Sequence, residues 1–184
     1  MEVDASRFVQ TALAAKADYA ALVDVARIKF VEEFRKACEQ NVCRKYNTNW
    51  ACPPAVGSFS ELKAKACQYR QGLLFQTVHQ LARCFDWNGM LDAKKIHDQV
   101  FRTLLDNLKN KQNLTDLLAL GAGACAVCAR CAYLDQLPCR FPNEAFASVE
   151  AYGIDVISLE KTAGIPYYNG KNTVSYVGLM LFNR

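Results

Sequence analysis

The sequence predicts an α/β or α+β fold: a single domain with a small central sheet, helical cover and two cysteine-rich metal-binding loops. Three observations predict it. Apolar runs of strand length interleave with segments of helical period. Nine cysteines in 184 residues fall mostly into two groups that lie outside those segments. Hydrophobic residues make up 52% of the chain and charged ones only 22%, the balance of a chain that buries a core. At roughly 150 residues per domain, residues 1–184 read as one cysteine-rich domain, with 1–19 as an N-terminal helical extension. A chain of this size buries about 70% of the surface its unfolded form exposes, so it folds without staples.

The elements follow in order. Residues 5–15 read as a short helix. Ala21 to Arg27 alternates at Val23 and Val25, as a strand does. Phe30 to Glu39 carries Phe30, Val31 and Phe34 at helical spacing and delivers Cys38 near its end. Residues 40–57 lack periodicity and contain Pro53-Pro54 and Gly57, so they read as loop. Ser58-x-x-Glu61 is a capping box that opens a helix running to about Tyr69, with Leu62, Ala66 and Tyr69 on one face. Gly72 to His79 reads as a buried strand. Met90 to Asn110 reads as the longest helix, with Ile96, Val100, Leu104 and Leu108 sharing a face. Leu117 to Leu120 is a short apolar strand that ends in Gly121-Ala-Gly123 and feeds straight into Cys125. A short helix is expected around Phe146 to Tyr152, with Gly153 as its left-handed cap. Asp155 N-caps a further helix that ends before Gly164. Asn169-Gly170 is a hairpin-type turn signal. Thr173 to Phe182 alternates and is rich in Val, Tyr and Leu, so it is a strand.

Composition excludes several function classes. A net charge of +4, scattered along the chain, does not predict nucleic-acid binding. No run approaches the roughly 20 apolar residues of a membrane span, and no membrane partner is expected. The N-terminus has neither a basic start nor an apolar stretch, so a cytoplasmic chain with reduced thiols is expected. Nine cysteines in that setting call for a metal, a redox role or an unusual core, and an odd count fits a disulfide framework poorly.

The second group, Cys125-x2-Cys128-x2-Cys131-x7-Cys139, is the more informative. Thiolates are soft ligands that favour zinc, copper(I) and iron–sulfur clusters. Its first three cysteines match the opening of the bacterial ferredoxin run, although the last spacing is longer and Pro138 precedes the fourth cysteine. Structural zinc more often uses two separated Cys-x2-Cys knuckles. A cluster of the 4Fe-4S type is therefore the first expectation, and zinc the alternative. Gly121 and Gly123 let the backbone approach such a group closely. Arg130 and Arg140 either offset its negative charge or face solvent.

The first group is Cys38-x4-Cys43-x8-Cys52, followed by Pro53-Pro54. Three cysteines on one irregular stretch are hard to place as core. Two clusters with full cysteine ligation need eight thiolates, and the two groups supply seven. One iron is then left with a non-cysteine ligand or an open position, or Cys139 crosses over, or Cys67 or Cys84 completes the set. As isolated cysteines, Cys67 and Cys84 are expected in the core.

Several stretches together carry a family resemblance. They are Cys38-Glu-Gln-Asn41-x-Cys43-x-x-Tyr46-x-x-x-Trp50-x-Cys52-Pro53-Pro54-Ala55-x-Gly57, Leu120-Gly121-x-Gly123-x-Cys125-x-x-Cys128-x-x-Cys131, and Cys139-Arg140-x-Pro142. Ser148-x-Glu150-Ala151-x-Gly153-Ile154-Asp155-Val156, Asn172-Thr-Val and Gly178-Leu-x-Leu-Phe complete them. Over about residues 20–184 the chain resembles a prokaryotic family described as a predicted metal-binding protein, a description that names no reaction. The resemblance implies that both cysteine groups belong to one architecture. It also implies a glycine after Cys43, where this chain has Arg44.

Other chemistry is weaker. His79, at a strand end, and His97, on a helix surface, are read as partly exposed residues without a metal or catalytic role. Gly121-Ala-Gly123-Ala does not complete a dinucleotide fingerprint. Neither cysteine group has the C-x3-C-x2-C spacing of radical S-adenosylmethionine enzymes. Glu150 is an acid–base candidate, and Asp155 is read first as a helix cap. Lys36, Arg44 and Lys45 flank the first group and suit an acidic partner or a solvated face. The expected function is a cytoplasmic iron–sulfur protein that passes electrons to a redox partner protein, using one or two clusters held by Cys38, Cys43, Cys52, Cys125, Cys128, Cys131 and Cys139. The alternatives are an enzyme whose incompletely thiolate-ligated iron takes substrate, and a zinc-binding structural or interaction module. No catalytic residue is assigned.

Overall fold

The computed structural model describes residues 5–183. Its frame is a four-stranded sheet of β1 (Tyr19–Asp24), β2 (Gln71–Gln80), β3 (Leu117–Leu120) and β4 (Thr173–Phe182), in the order β1-β2-β4-β3. Every neighbouring pair is antiparallel. The helices are α1 (Ala5–Ala14), α2 (Glu32–Lys36), α3 (Phe59–Ala66), α4 (Trp87–Asp106) and α5 (Val156–Ala163). The class is therefore α+β, which settles the choice the sequence left open. None of these helices is long and apolar enough to cross a membrane.

Strand alternation divides the core into two layers. Leu73 and Phe75 of β2, with Met180 and Phe182 of β4, face Phe8 of α1 and Phe101 and Leu104 of α4. Leu74 of β2, with Leu179 and Leu181 of β4, faces Leu62 of α3 and Leu159 of α5. Both central strands are buried on both faces, which is why they read as continuous apolar runs. Helix α1, expected as an extension, contributes directly to the core: Phe8 is buried and its ring centroid lies 4.9 Å from that of Phe182.

The capping predictions agree with the structure. Ser58 Oγ accepts from the Glu61 N–H, and Glu61 Oε2 accepts from the Ser58 N–H. Asp155 Oδ1 accepts from the Ser158 N–H at the start of α5. Gly153 and Gly164 both take left-handed dihedrals, at φ 68° and 69°.

Other expectations need correction. The strand predicted to Arg27 ends at Asp24, whose side chain accepts from the Ala26 N–H and turns the chain into a 3-10 turn at Val25–Arg27. Of the helix predicted over 30–39, Glu32–Lys36 is α-helical and Ala37–Gln40 is a 3-10 turn. The helix expected around Phe146–Tyr152 is one 3-10 turn, Glu150–Tyr152. Asn169-Gly170 precedes β4 after a helix, so it is not the tip of a hairpin. On α4 the buried stripe is Ala93, His97, Val100, Phe101, Leu104 and Leu105, and Leu108 is buried just past its end; of the predicted face, Val100, Leu104 and Leu108 are buried, whereas Ile96 is 49% exposed. His97 is consequently core, not surface. Cys67, expected in the core, is exposed because α3 stops at Ala66, and the next position turns about 100° away from the buried face. Cys84 is exposed in the turn before α4.

Candidate metal centre

Each cysteine group sits on an excursion from the fold that is fastened at its base. The first leaves the end of α2. Arg35, only 8% exposed, donates from Nη2 to the Gly57 carbonyl and ties the beginning of the excursion to its end. Cys38 lies in the 3-10 turn that follows α2, and Cys43 and Cys52 lie on irregular backbone. Left-handed residues and two asparagine side chains turn the chain without regular structure. Asn41 takes a left-handed conformation, φ 53°, and its Oδ1 accepts from the Tyr46 N–H at 3.0 Å. Arg44 and Asn47 are also left-handed, at φ 58° and 55°. Asn49 is buried, and its Oδ1 accepts from the Ala51 N–H at 3.1 Å. The Asn47 N–H donates to the Pro53 carbonyl at 2.8 Å, and the Pro53–Pro54 peptide is cis.

The second excursion leaves β3. Gly121 forms a parallel bridge with Ser148: its N–H donates to the Ala147 carbonyl at 2.9 Å, and its carbonyl accepts from the Val149 N–H at 3.0 Å. Everything between, including Cys125, Cys128, Cys131 and Cys139, lies on the loop so closed. Gly123 is left-handed, φ 62°, which turns the chain from the sheet edge toward Cys125. A 3-10 turn at Ala132–Asp135 follows Cys131 and is capped by left-handed Gln136. Arg130 pairs with Asp135, and Arg140 donates from Nη1 to the Arg130 carbonyl at 3.3 Å. Both arginines thus hold the loop's own shape.

The two excursions dock on one another. Trp50 Nε1 donates to the Leu137 carbonyl at 2.9 Å. The Trp50 and Tyr133 rings meet edge to face, centroids 5.0 Å apart, and Tyr133 Oη donates to Asn47 Oδ1. At this junction Cys125, Cys128, Cys131 and Cys139 line one small cavity of about 20 Å³, closed by Asn49, Trp50 and Ala51 of the first excursion. All nine cysteines are free thiols. Among the described residues, no three His, Cys, Asp or Glu side chains are grouped so as to hold a metal ion as they stand.

The thiols are electrostatically linked. Burial pushes the Cys125 thiol up; the Val127 backbone hydrogen bond opposes this, and the neighbouring Cys131, Cys139 and Cys128 add to it. Burial also raises Cys52, against a hydrogen bond from Asn49, with Cys43, Cys38 and Cys125 raising it further. Burial raises Cys38 too, and the Arg35 guanidinium opposes it. Cys52 and Cys125 therefore connect the two groups. Thiolate donors of this kind fit iron–sulfur clusters and zinc. His79 and His97 lie away from this junction: His79 Nε2 and His97 Nδ1 both meet Thr77 Oγ1, on β2.

Arg35 and Asn49 were not visible as site residues in the sequence. Arg35 stands one turn before Cys38, and nothing local marks its reach to Gly57. Trp50 and Asn41 carry a signal only through the family motif.

Fold and site together define a class: a small α+β protein with two cysteine-bearing excursions docked at one end of an antiparallel sheet. The chain belongs to the family described as Predicted metal-binding protein (DUF2284), whose model matches residues 21–182. No curated protein matches the chain. Among solved structures, it is similar to an epoxyqueuosine reductase crystallised with selenomethionine, at 10% identity and a TM-score of 0.43. That similarity covers 95% of this chain and 44% of the reductase chain, so the protein spans less than half of its length.

Proposed function

We propose that the protein is a cytoplasmic iron–sulfur protein that transfers electrons to or from a partner protein. Cys125, Cys128, Cys131 and Cys139 hold a 4Fe-4S cluster, and Cys38, Cys43 and Cys52 hold a second metal group beside it. One observation carries the reading: four cysteines from one loop line a single cavity that the other cysteine loop closes. A cluster bound there supplies a one-electron couple tuned by hydrogen bonds and burial. The chain's own contribution is to position the thiols, to aim the Val127 N–H at Cys125, and to cover the site with Trp50. Free thiols throughout suit a reducing compartment.

A second reading rests on the first group. It has three cysteines, and Cys43 is exposed. A cluster there leaves one iron without a thiolate, open to a small substrate. The test common to both is iron, zinc and acid-labile sulfide content with an absorption spectrum, on anaerobically purified protein. About four or about eight irons with matching sulfide support the cluster reading. Zinc without sulfide overturns it and leaves a structural or interaction module.

A further inference from the structure

Away from the cysteine cavity, a cavity of about 520 Å³ opens between α5, β4 and the loop that joins them. Its size is that of a small-molecule site. Three features of its wall point to one ligand chemistry.

The first is charge. Glu150, Asp155 and Glu160 line the cavity, and among the described residues no Lys, Arg or His does, although the chain carries a net +4. The second is a buried, incompletely bonded acid. Glu160 is 2% exposed; its Oε1 accepts from Gln76 Nε2, while its Oε2 has no hydrogen-bond partner. It belongs to none of the ion pairs among the described residues. Burial pushes the Glu160 carboxyl up, against the Gln76 hydrogen bond, and a bound cationic donor at Oε2 would offset the cost of its charge. Asn169 adds a second acceptor: its Nδ2 is committed to Gln76 Oε1, Ser175 Oγ and the Pro166 carbonyl, which leaves Oδ1 available. The third is aromatic wall. Phe34, Tyr167, Tyr168 and Tyr176 line the cavity, and Tyr167 and Tyr168 stay 61% and 74% exposed. Aromatic faces attract cations, and an inorganic ion would leave most of this space unfilled.

We infer that this cavity binds a small organic cation, a planar amine or amidine whose N–H group donates to Glu160 Oε2 while its body lies against the tyrosines. The inference does not rest on the cysteines holding a cluster, and its readout does not involve the metal.

The probe is benzamidine, titrated calorimetrically into the full-length, anaerobically purified protein. Benzamide and benzoate serve as neutral and anionic controls of the same shape. Benzamidine is expected to bind saturably, with both controls weaker by roughly tenfold or more. Glu160→Gln keeps an oxygen for Gln76 but removes the charge, and should weaken benzamidine by roughly tenfold or more. Tyr168→Ala, at the exposed rim where folding is not at stake, should weaken it by about threefold. Absence of saturable binding overturns the inference. So does equal binding of benzoate, or an affinity unchanged in both variants.

Discussion

Trp50 Nε1 donates to the Leu137 carbonyl at 2.9 Å, joining two residues 87 positions apart. The bond ties one cysteine excursion to the other, and the same indole meets Tyr133 edge to face. Neither excursion contains a strand or an α-helix beyond α2, so side-chain contacts of this kind must supply their order. The docked loops place Cys125, Cys128, Cys131 and Cys139 around a cavity that Asn49, Trp50 and Ala51 of the first excursion close.

Trp50→Phe keeps an aromatic ring against Tyr133 but leaves the Leu137 carbonyl without its donor. The loss should cost about 1 kcal/mol of stability, the net worth of one hydrogen bond. On the proposed reading the docking also covers the metal, so the variant should lose iron to a chelator faster than the parent. Urea unfolding and the rate of chelation measure the two effects. A chelation rate unchanged from the parent means that the junction does not protect the site.

Arg44 offers a test in the opposite direction. Its φ of 58° is a conformation in which an L residue clashes with its own backbone. The family resemblance implies glycine here, and the structure supplies the physical reason for one. Arg44 is exposed and forms none of the ion pairs among the described residues, so little is lost with its side chain. Arg44→Gly should raise stability by roughly 1 kcal/mol, seen as a higher thermal midpoint.

The fold was legible where the signal is local. Ser58 and Glu61, Asp155, and the left-handed glycines 153 and 164 act within one turn of themselves, so their sequence spacing is their geometry. Strands β3 and β4 have the predicted limits, Leu117–Leu120 and Thr173–Phe182, because turns bound them and apolar runs fill them. Strand order was not legible, since pairing β2 with β4 joins residues about 100 positions apart with nothing local to mark it. His97 was misplaced because a polar residue on a helix is read as surface; its partners, Thr77 and Phe75, come from β2. At the site, the cysteines themselves announce thiolate chemistry. The clasps do not, because Arg35 and Gly57 lie 22 positions apart in the sequence and Gly121 and Ser148 are brought together across the whole second loop, with nothing local to mark either pairing.

His97 gives the stability a pH dependence. It is fully buried, stacked on Phe75 at 5.4 Å, and its Nδ1 meets Thr77 Oγ1 at 2.9 Å. Burial, with smaller contributions from Lys94 and His79, lowers its pKa from 6.5 to about 3. Half-buried His79 is lowered in the same direction, against the pull of Asp18. Between those two values the unfolded chain binds the proton and the folded chain does not, so stability rises with pH. The contribution of His97 is complete above pH 6.5 and is lost as pH falls toward 3, at about 1.4 kcal/mol per pH unit. Urea unfolding at pH 7.5, 6 and 5 should show this slope, and His97→Gln should flatten it even if the variant is less stable throughout. A slope the substitution does not change would assign the acid sensitivity to another group.

The cysteines themselves permit a comparison within one chain. Cys67 and Cys84 are exposed and stand apart from the junction, so Cys67→Ser and Cys84→Ser should leave iron content unchanged. Cys125 and Cys128 line the shared cavity, and serine there keeps the side chain's shape while removing a soft thiolate. Cys125→Ser and Cys128→Ser should each lose at least about half of the bound iron and sulfide. Cys52, the first-group thiol on which Cys125 of the second group acts, should be the first-group position whose replacement also disturbs the absorption of metal held by the second. If Cys52→Ser changes only the metal of its own group, the two groups work as separate sites. If it changes both, the docking of Trp50 on Leu137 brings two metal groups into electrostatic contact, as the proposed electron transfer requires.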